Sequence, residues 1–332
     1  WQHMGLELTR HLARIIVHPK DPDIVWVAAQ GALHGPTEQR GIYKSTDRGE
    51  TWTYSGLPDS HHIGRILIHP DRPEVVTVAV MGHLYSPNSE RGVFKSSDGG
   101  ATWQRTLFVD ENTGIIDLAA SPDNPEVLYA AAWQRDRKAW NFEGSGPGSG
   151  IYKSTDGGDS WQKITLEGSG FPTGEGVGRI GLAAVDSGTL YAILDNQFRR
   201  PKGEEEEDPD KLQKADFKAM SARDFLELDN EKLNDFLKTN GFQEKYRADN
   251  VKQMVRSGTV KPADLAAYLE DANSLLFDTP VVGAEVYRSD DGGKTWKKTH
   301  EGYLEDLYYS YGYYFGLIRV APYNKEQIYI AG

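Results

Sequence analysis

The sequence predicts an all-β fold, a β-propeller fragment of four-stranded blades interrupted by a helical insertion. Two observations support this prediction. A nine-residue motif occurs four times, as KSTDRGETW, KSSDGGATW, KSTDGGDSW and RSDDGGKTW. Each copy also lies within a longer segment that repeats. Self-similarity with a period of about 50 residues indicates a propeller or a solenoid.

Each repeat is predicted to contain four short strands. Residues 11–31 (HLARIIVHPKDPDIVWVAAQG) align with residues 62–82 (HIGRILIHPDRPEVVTVAVMG), and looser copies follow at residues 114–134 and 176–196. An apolar strand, a Pro-rich turn and a β-branched strand come first. A Gly-Ile-Tyr-Lys strand and a tight turn follow, and the fourth strand begins at the Thr-Trp. Short strands bounded by Gly, Pro, Asp and Asn are typical of a propeller blade.

The spacing of the motif predicts about four whole blades and two partial ones. The motif aspartates are separated by 51 residues (47 to 98), 58 residues (98 to 156) and 135 residues (156 to 291). The first residues align with the end of a blade and the last with the beginning of another, so we expect further blades in a longer parent chain. A closed five-bladed ring is disfavoured because its shared blade would lack a third strand. The predicted divisions are 1–198 (a partial blade, three whole blades and the start of the fourth), 199–280 (the insertion) and 281–332 (the end of the fourth blade and the start of the next).

The insertion abandons the strand pattern. Residues 202–211 (KGEEEEDPDK) predict an acidic, mobile linker. Ser221 and Asp229 are predicted helix N-caps, Gly241 is a predicted helix stop, and Pro262 begins another helix. The segment is therefore a predicted helical subdomain. It would cover the propeller mouth, bind a partner or form a solvated decoration.

Composition excludes several classes of function. The formal net charge of −12 argues against nucleic acid as a partner, because phosphate binding needs a basic surface. There is no cysteine, which excludes disulfides and thiolate chemistry. No apolar run is long enough to predict a membrane span. We predict neither a cofactor nor a metal site.

The repeated motif, S-x-D-x-G-x-[ST]-W, resembles the Asp-box (bacterial neuraminidase) repeat of sialidases, xyloglucan-cleaving propellers and sortilin/Vps10 propellers. A motif that stabilises a hairpin turn is needed once in every blade, whereas a catalytic carboxylate is needed only once in an active site. We therefore expect a structural role, in which Ser and Asp bind the turn backbone and Trp packs between layers. Calcium binding or catalysis is the alternative. The motif residues are Ser45, Asp47, Gly49, Trp52, Ser96, Asp98, Gly100, Trp103, Ser154, Asp156, Gly158, Trp161, Ser289, Asp291, Gly293 and Trp296.

Ligand binding is predicted at the opposite end of the blades, where the loops between second and third strands lie. A loop that departs from the repeat is the strongest signal there, and an aromatic-rich segment at residues 301–315 is another. The candidate ligand-binding residues are Trp133, Arg135, Asp136, Trp140, Asp195, Tyr309 and Tyr311. Separately, Arg14, Arg65 and Arg179 occupy one position of the innermost strands, where the third blade has Asp117. This position is expected to line a channel or to form ion pairs between blades.

The resemblance implies two main functions, glycoside hydrolysis and ligand binding by a scaffold. The sialidase pattern is not met, since residues 317–322 (LIRVAP) only approach its F/Y-R-I-P strand. The xyloglucan-cleaving pattern has a carboxylate near the end of a second strand, where this sequence offers only Asp195. Glycoside hydrolysis needs two carboxylates about 5–9.5 Å apart, and the sequence does not identify such a pair.

We therefore expect a protein- or glycan-binding scaffold similar to the sortilin/Vps10-like propellers of large bacterial secreted proteins, which are often labelled glycosyl hydrolases. The resemblance alone implies a secreted or cell-envelope location, in the periplasm or at the cell surface. The alternative is a glycoside hydrolase with part of its catalytic pair outside this chain. A third hypothesis is a structural subunit of a surface assembly.

Overall fold

The computed structural model describes residues 1–33, 37–200, 211–268, 281–304, 307 and 316–331. The chain divides into two compact units. One consists of Trp1–Phe198 together with Val281–Gly332, and the other is Arg199–Pro280. The predicted acidic linker lies, apart from Lys211, outside the described residues.

The first unit is built from short strands. They are β1 (Leu12–Val17), β2 (Val25–Ala29), β3 (Gly41–Ser45), β4 (Thr53–Tyr54), β5 (His62–Ile68), β6 (Val76–Gly82), β7 (Gly92–Ser96), β8 (Gln104–Leu107), β9 (Thr113–Ala120), β10 (Leu128–Gln134), β11 (Asp136–Arg137), β12 (Phe142–Glu143), β13 (Gly150–Ser154), β14 (Gln162–Lys163), β15 (Val177–Ala184), β16 (Leu190–Arg199), β17 (Val281–Ser289), β18 (Lys297–Lys298), β19 (Leu317–Ala321) and β20 (Asn324–Ala331). A short 3₁₀ helix, Glu7–Thr9, precedes them.

These strands form four four-stranded sheets, ordered β1-β2-β3-β4, β5-β6-β7-β8, β9-β10-β13-β14 and β15-β16-β17-β18. Strands β19 and β20 form a two-stranded sheet, and β11 and β12 form a small hairpin within the third blade. The first strands of successive sheets contact one another, β1 with β5, β5 with β9, β9 with β15 and β15 with β19. The predicted all-β fold of propeller blades is therefore confirmed.

Neighbouring blades pack through their apolar faces and through their backbones. Every residue of the second strand β6 is buried, because blades cover both of its faces. Between the first two blades, Trp26 and Trp103 meet edge to face with ring centroids 6.5 Å apart. Gly64 on β5 lies so close to β9 that an added Cβ would be 2.1 Å from the Ile116 carbonyl oxygen. The inner strands thus approach to backbone contact.

The Asp-box turns join the third and fourth strands of each blade. In the first, Ser45 Oγ accepts the Gly49 N–H at 2.7 Å, and Asp47 Oδ1 accepts the Thr51 N–H at 2.9 Å. Hydrogen bonds from Thr51 and Ser45 lower the pKa of Asp47 to about 2. The other three turns repeat this pattern through Ser96 and Asp98, Ser154 and Asp156, and Ser289 and Asp291.

The tryptophans of the first two Asp boxes reach toward the preceding segment of the chain. The Trp103 indole N–H donates to the Ser55 carbonyl at 2.5 Å, and the Trp52 indole N–H donates to the Met4 carbonyl at 2.6 Å. Residues 1–6 form no strand. Because the strands of each sheet are antiparallel, all four Asp-box turns lie at the end of their sheet opposite the loops between second and third strands.

The second unit contains the predicted helical insertion. Its helices are α1 (Lys214–Ala219), α2 (Ala222–Glu227), α3 (Asn230–Thr239), α4 (Ala248–Arg256) and α5 (Pro262–Tyr268). Ser221 accepts the Asp224 N–H, and Asp229 accepts the Glu231 and Lys232 N–H groups, so both predicted N-caps are confirmed. Phe217, Phe225, Phe236, Leu233 and Leu237 form part of a separate apolar core. In the described part of the chain, no helix has the length and apolar character needed to cross a membrane.

Candidate functional site

The candidate site lies at the long-loop end of the blades, which we define as the end carrying the β2–β3, β6–β7 and β10–β13 loops. The β10–β13 loop is the one that departs from the repeat. It contains the β11–β12 hairpin, in which Asp136 pairs with Glu143 and Arg137 pairs with Phe142. Between these strands, Trp140 is 85% exposed. An exposed indole on a short hairpin is suited to stacking against a sugar ring or a peptide.

The other predicted tryptophan of this loop has a different environment. Trp133 is 3% exposed, and its indole N–H donates to the Gly144 carbonyl at 2.7 Å. Its ring packs edge to face with Phe142, with centroids 6.4 Å apart. The sequence predicted both Trp133 and Trp140 as ligand-binding residues. In the structure, Trp133 holds the loop in place and only Trp140 faces solvent.

Arg135 connects this loop to the second blade. Its side chain is buried, and its Nη2 lies 3.1 Å from His62 Nδ1 and 3.4 Å from the His83 carbonyl oxygen. The guanidinium also lies over the Trp133 ring, 5.4 Å from the centroid. Burial, reinforced by repulsion from neighbouring arginines, lowers the pKa of Arg135 to about 9. These contacts place Arg135 in the support of the loop.

Asp136, the third predicted residue of the loop, has a half-exposed side chain. Its Oδ1 lies 2.8 Å from Lys138 Nζ, and the two side chains are 43% and 41% exposed. An exposed pair of this kind is strongly screened by water. Asp136 is therefore accessible to a ligand at the base of the hairpin that carries Trp140.

Asp195 lies in the middle of β16 and is 2% exposed. Burial raises the pKa of its carboxyl group to about 6, although a hydrogen bond from Gln197 and the charge of Arg179 oppose this shift. The Gln197 amide donates to Asp195 Oδ1 at 2.6 Å. A carboxyl group with a pKa near neutrality can donate and accept a proton at physiological pH, as a general acid or base must.

The hairpin loop passes beside Asp195. Gly178 marks the contact, because a Cβ added there would lie 3.2 Å from Asp195 Oδ2 and 3.3 Å from the Gly144 carbonyl oxygen. The Gly146 N–H also donates to the Val177 carbonyl at 3.1 Å. The structure therefore brings together the loop that carries Trp140 and the predicted carboxylate Asp195.

A second buried carboxylate, Glu285 on β17, follows Asp195 in the same blade. Its Oε2 accepts hydrogen bonds from the Asn196 amide and the Tyr287 hydroxyl, each at 2.7 Å. Lys298 Nζ lies 3.3 Å from Oε1. With both of its oxygens bonded, Glu285 is held as part of a buried network. The predicted residues Tyr309 and Tyr311 lie outside the described residues.

Sequence reasoning missed a cluster at the long-loop end of the second blade. The ligating atoms of Asp59, His61 and His83 all lie within 4.8 Å of one another. His83 Nε2 is 2.7 Å from Asp59 Oδ1, and His61 Nε2 is 3.5 Å from the same oxygen. Burial, followed by the charges of Arg40 and His83, lowers the pKa of His61 to about 4. Comparing these three positions with the corresponding positions of the other repeats would have identified the cluster from the sequence.

Comparison with known protein families agrees with the repeat pattern. Residues 40–174 match the model of the Sortilin-Vps10 family (sortilin, neurotensin receptor 3), and residues 287–298 match the BNR/Asp-box repeat. The predicted Asp-box resemblance is confirmed. The two matches cover the second half of the first blade, all strands of the second and third blades, and the Asp-box turn of the fourth.

Among characterised proteins, the Asp-box chain is similar to xyloglucanases. It is 27% identical to a xyloglucanase of Paenibacillus sp over 199 residues, which cover 54% of this chain and 18% of that protein. It is 24% identical to a xyloglucanase of Hypocrea jecorina over 319 residues, 90% of this chain and 33% of that protein. The chain thus spans at most about a third of these two relatives.

Solved structures with similar folds include the Niastella koreensis GH74 enzyme, with 16% identity and a TM-score of 0.42 over 97% of this chain and 44% of that one. The GH74 xyloglucanase from Xanthomonas campestris has 14% identity and a TM-score of 0.42 over 97% of this chain and 43% of that one.

Proposed function

We propose that this Asp-box chain is a polysaccharide-binding propeller segment of a glycoside hydrolase acting on glucans of the xyloglucan class. One observation carries the proposal: the loop that presents the exposed Trp140 passes beside the buried carboxyl group of Asp195. Exposed aromatic rings stack on sugars, and a carboxylic acid with a raised pKa is one of the two carboxyl groups that glycoside hydrolysis uses. The similarity to xyloglucanases supports this class of substrate.

In this proposal the Asp195 carboxyl group donates its proton to the glycosidic oxygen as the bond from that oxygen to the anomeric carbon breaks, so that the leaving sugar departs with a hydroxyl group. Its raised pKa, about 6, suits a general acid, which must stay protonated before transfer. Glycoside hydrolysis needs a second carboxylate about 5–9.5 Å away. We assign that group to other blades of the longer protein, because Glu285 is already held by Asn196, Tyr287 and Lys298. The protein would act outside the cytoplasm, where such polysaccharides occur.

A second candidate function is a binding scaffold without catalysis, for a protein or a glycan. The match of residues 40–174 to the Sortilin-Vps10 model favours it. The two functions share the long-loop end as the binding surface. They differ in whether Asp195 participates in chemistry.

Binding of the full 332-residue chain to xyloglucan would be measured by affinity gel electrophoresis, with arabinan and dextran as comparison glycans. We expect retardation by xyloglucan and loss of most of it in Trp140→Ala. Trp1→Ala is the matched control, because Trp1 is also an exposed tryptophan. It lies three residues before Met4, whose carbonyl oxygen accepts the indole N–H of the Asp-box residue Trp52. Absence of retardation by xyloglucan, or equal effects of the two substitutions, would contradict the proposal.

Catalysis would be tested in the longer protein by the release of reducing sugars from xyloglucan. We expect Asp195→Asn to abolish release while leaving retardation intact, and the exposed Asp71→Asn, outside the hairpin loop, to retain both. If binding depends on Trp140 but Asp195→Asn leaves sugar release unaffected, the general acid is a residue other than Asp195. Binding without release in the unmodified protein would favour the scaffold function.

A further inference from the structure

The second blade contains three groups that bind transition metals well, and they come from two separate loops. Asp59 and His61 precede β5, whereas His83 follows β6. His61 and Gly82 form an isolated parallel β-bridge, which brings the two loops together. As a result, the His61 and His83 rings lie with centroids 3.9 Å apart.

All three positions depart from the repeat in the first blade. Residues 11–31 align with residues 62–82, so the positions of Asp59, His61 and His83 correspond to Leu8, Arg10 and Ala32. None of these three can bind a metal ion. Both positions nevertheless have a positive φ, 64° at Arg10 and 46° at His61. Only the second blade has an imidazole at this point, directed toward a carboxylate.

The third blade also lacks the set. The corresponding residues there are Glu111, Thr113 and Arg135, of which only the first is a ligand type. A packing role shared by all blades would place similar side chains at similar positions. Three simultaneous replacements by ligand types, all converging on one point, indicate a feature specific to the second blade.

The distances suit a small tetrahedral ion. Zinc binds imidazole nitrogen and carboxylate oxygen at about 2.0–2.2 Å, so two ligand atoms on a tetrahedral zinc lie about 3.3 Å apart. The two histidine nitrogens lie 2.7 Å and 3.5 Å from Asp59 Oδ1. Three protein ligands leave a fourth position, and the Asp59 side chain is 52% exposed, so that solvent or a ligand can reach it.

Neighbouring groups hold two of the three ligands in orientation. His83 Nδ1 lies 2.8 Å from Ser86 Oγ, which can accept the Nδ1 proton and leave the Nε2 lone pair free for a metal. The Asn88 amide donates to Asp59 Oδ2 at 2.8 Å and leaves Oδ1 directed at the histidines. Partners of this kind are typical of metal sites, where they fix the tautomer and the rotamer of each ligand.

The local charges are mixed. Arg40 faces His61 and opposes a cation there. The carboxyl groups of Asp59 and Glu90 offset it, because Glu90 accepts a backbone hydrogen bond from Asp59 and lies near His83. The Oε2 atom of Glu90 is buried without a hydrogen-bond partner among the described residues.

We infer that Asp59, His61 and His83 form a binding site for a divalent first-row transition metal ion, of which zinc is the representative. Two imidazoles and one carboxylate select zinc or its neighbours over magnesium and calcium, which prefer oxygen ligands alone. The bound ion would join the loop before β5 to the loop after β6 at the long-loop end. Its fourth position would accept water or an oxygen of a ligand.

Isothermal titration of the purified full chain with zinc chloride tests the site. We expect one zinc per chain, and at least a tenfold loss of affinity in His83→Gln and in Asp59→Asn. Titration with cobalt chloride should produce the visible absorption of tetrahedral Co²⁺, which the same two variants should lose. His3→Gln is the control, because His3 forms an exposed histidine–carboxylate pair with Glu7 that no third ligand joins among the described residues. It should bind zinc like the unmodified chain.

A measurement without substitutions guards against misfolded variants. Histidine modification by diethylpyrocarbonate, mapped by mass spectrometry, should be suppressed by zinc at His61 and His83 and unchanged at His3. Zinc that fails to bind the unmodified chain, that protects all histidines equally, or that binds the His83→Gln and Asp59→Asn variants with full affinity would overturn the inference. Magnesium chloride in place of zinc should give no protection.

Discussion

Arg65 on β5 forms an ion pair with Asp117 on β9, with Arg65 Nη2 2.6 Å from Asp117 Oδ1 and side chains 14% and 7% exposed. The same carboxylate accepts the Leu182 N–H from β15 at 3.0 Å. One aspartate therefore connects the inner strands of three successive blades. For Arg65, the predicted ion pair between blades is confirmed, whereas Arg14 donates to the Gly64 carbonyl at 2.8 Å.

Asp117→Asn should destabilise the first unit strongly. The substitution leaves the Arg65 guanidinium in a nearly buried position without its counter-charge, and breaking a buried pair in this way costs about 3–5 kcal/mol. Urea unfolding followed by tryptophan fluorescence would measure the loss. The matched control is Asp71→Asn, since Lys20 and Asp71 also join two blades at 2.8 Å but are 64% and 69% exposed. An equal effect of the two substitutions would show that burial does not strengthen the Arg65 pair.

The blades could be predicted from the sequence because each one repeats the same turn motif, whose hydrogen bonds join residues close together in the chain. Every Asp-box turn needs a serine, an aspartate and glycines in fixed order, and the tryptophan follows at a fixed distance, as in Ser96, Asp98 and Trp103. The helix N-caps at Ser221 and Asp229 were predictable for a similar reason, because their hydrogen bonds reach only two or three residues along the chain.

The candidate sites were less predictable because they depend on contacts between distant loops. The sequence shows that Trp133 and Trp140 share a loop, but only the packing against Phe142 and the bond to Gly144 show that Trp133 is buried. Likewise, His61 and His83 meet through a backbone bridge that no spacing rule predicts. Aligning the repeats for positions that differ together would have identified this cluster.

Ser96→Ala tests the structural role of the Asp box. Ser96 is 1% exposed, and its Oγ accepts the Gly100 N–H at 2.8 Å. Removing the hydroxyl leaves this N–H unpaired, which costs about 1–3 kcal/mol. Urea unfolding should show that loss, and exposed Ser89→Ala should not. Retardation by xyloglucan at a temperature where the variant is folded should stay unchanged, whereas a loss of binding without a loss of stability would support a direct functional role.

Asp195 should make the stability of the chain depend on pH in a characteristic direction. Burial raises its pKa from 3.8 to about 6, so the folded state binds this proton more tightly than the unfolded state. The resulting stabilisation is fully present below the unfolded pKa and is lost as the pH rises through about 6. Each pH unit in that window is equivalent to about 1.4 kcal/mol.

The measurement is the free energy of urea unfolding between about pH 4 and pH 7, compared between the unmodified chain and Asp195→Asn. The difference between the two should change by about 3 kcal/mol across the window, because asparagine has no proton to lose. Ser89→Ala, at an exposed residue without a titratable side chain, should give a curve parallel to that of the unmodified chain. A constant difference for Asp195→Asn would show that its carboxyl group has an ordinary pKa.

Gly64→Ala should prevent the first unit from packing correctly. The added Cβ would lie 2.1 Å from the Ile116 carbonyl oxygen and 2.6 Å from its carbon, and these backbone atoms of β9 cannot move without disturbing the third blade. We expect a loss of about 3 kcal/mol or more, at the upper end of overpacking effects, because two paired sheets must separate. Gly188→Ala is the control, since the atom nearest to its added Cβ would be Asp186 Oδ1 at 3.4 Å, an ordinary contact. Neither glycine has a left-handed backbone, so the comparison isolates the steric effect. Equal urea midpoints for the two variants would contradict this prediction, because they would mean that β5 and β9 can move apart without loss of stability. The ion pair between Arg65 and Asp117, next to Gly64, would then also survive that movement.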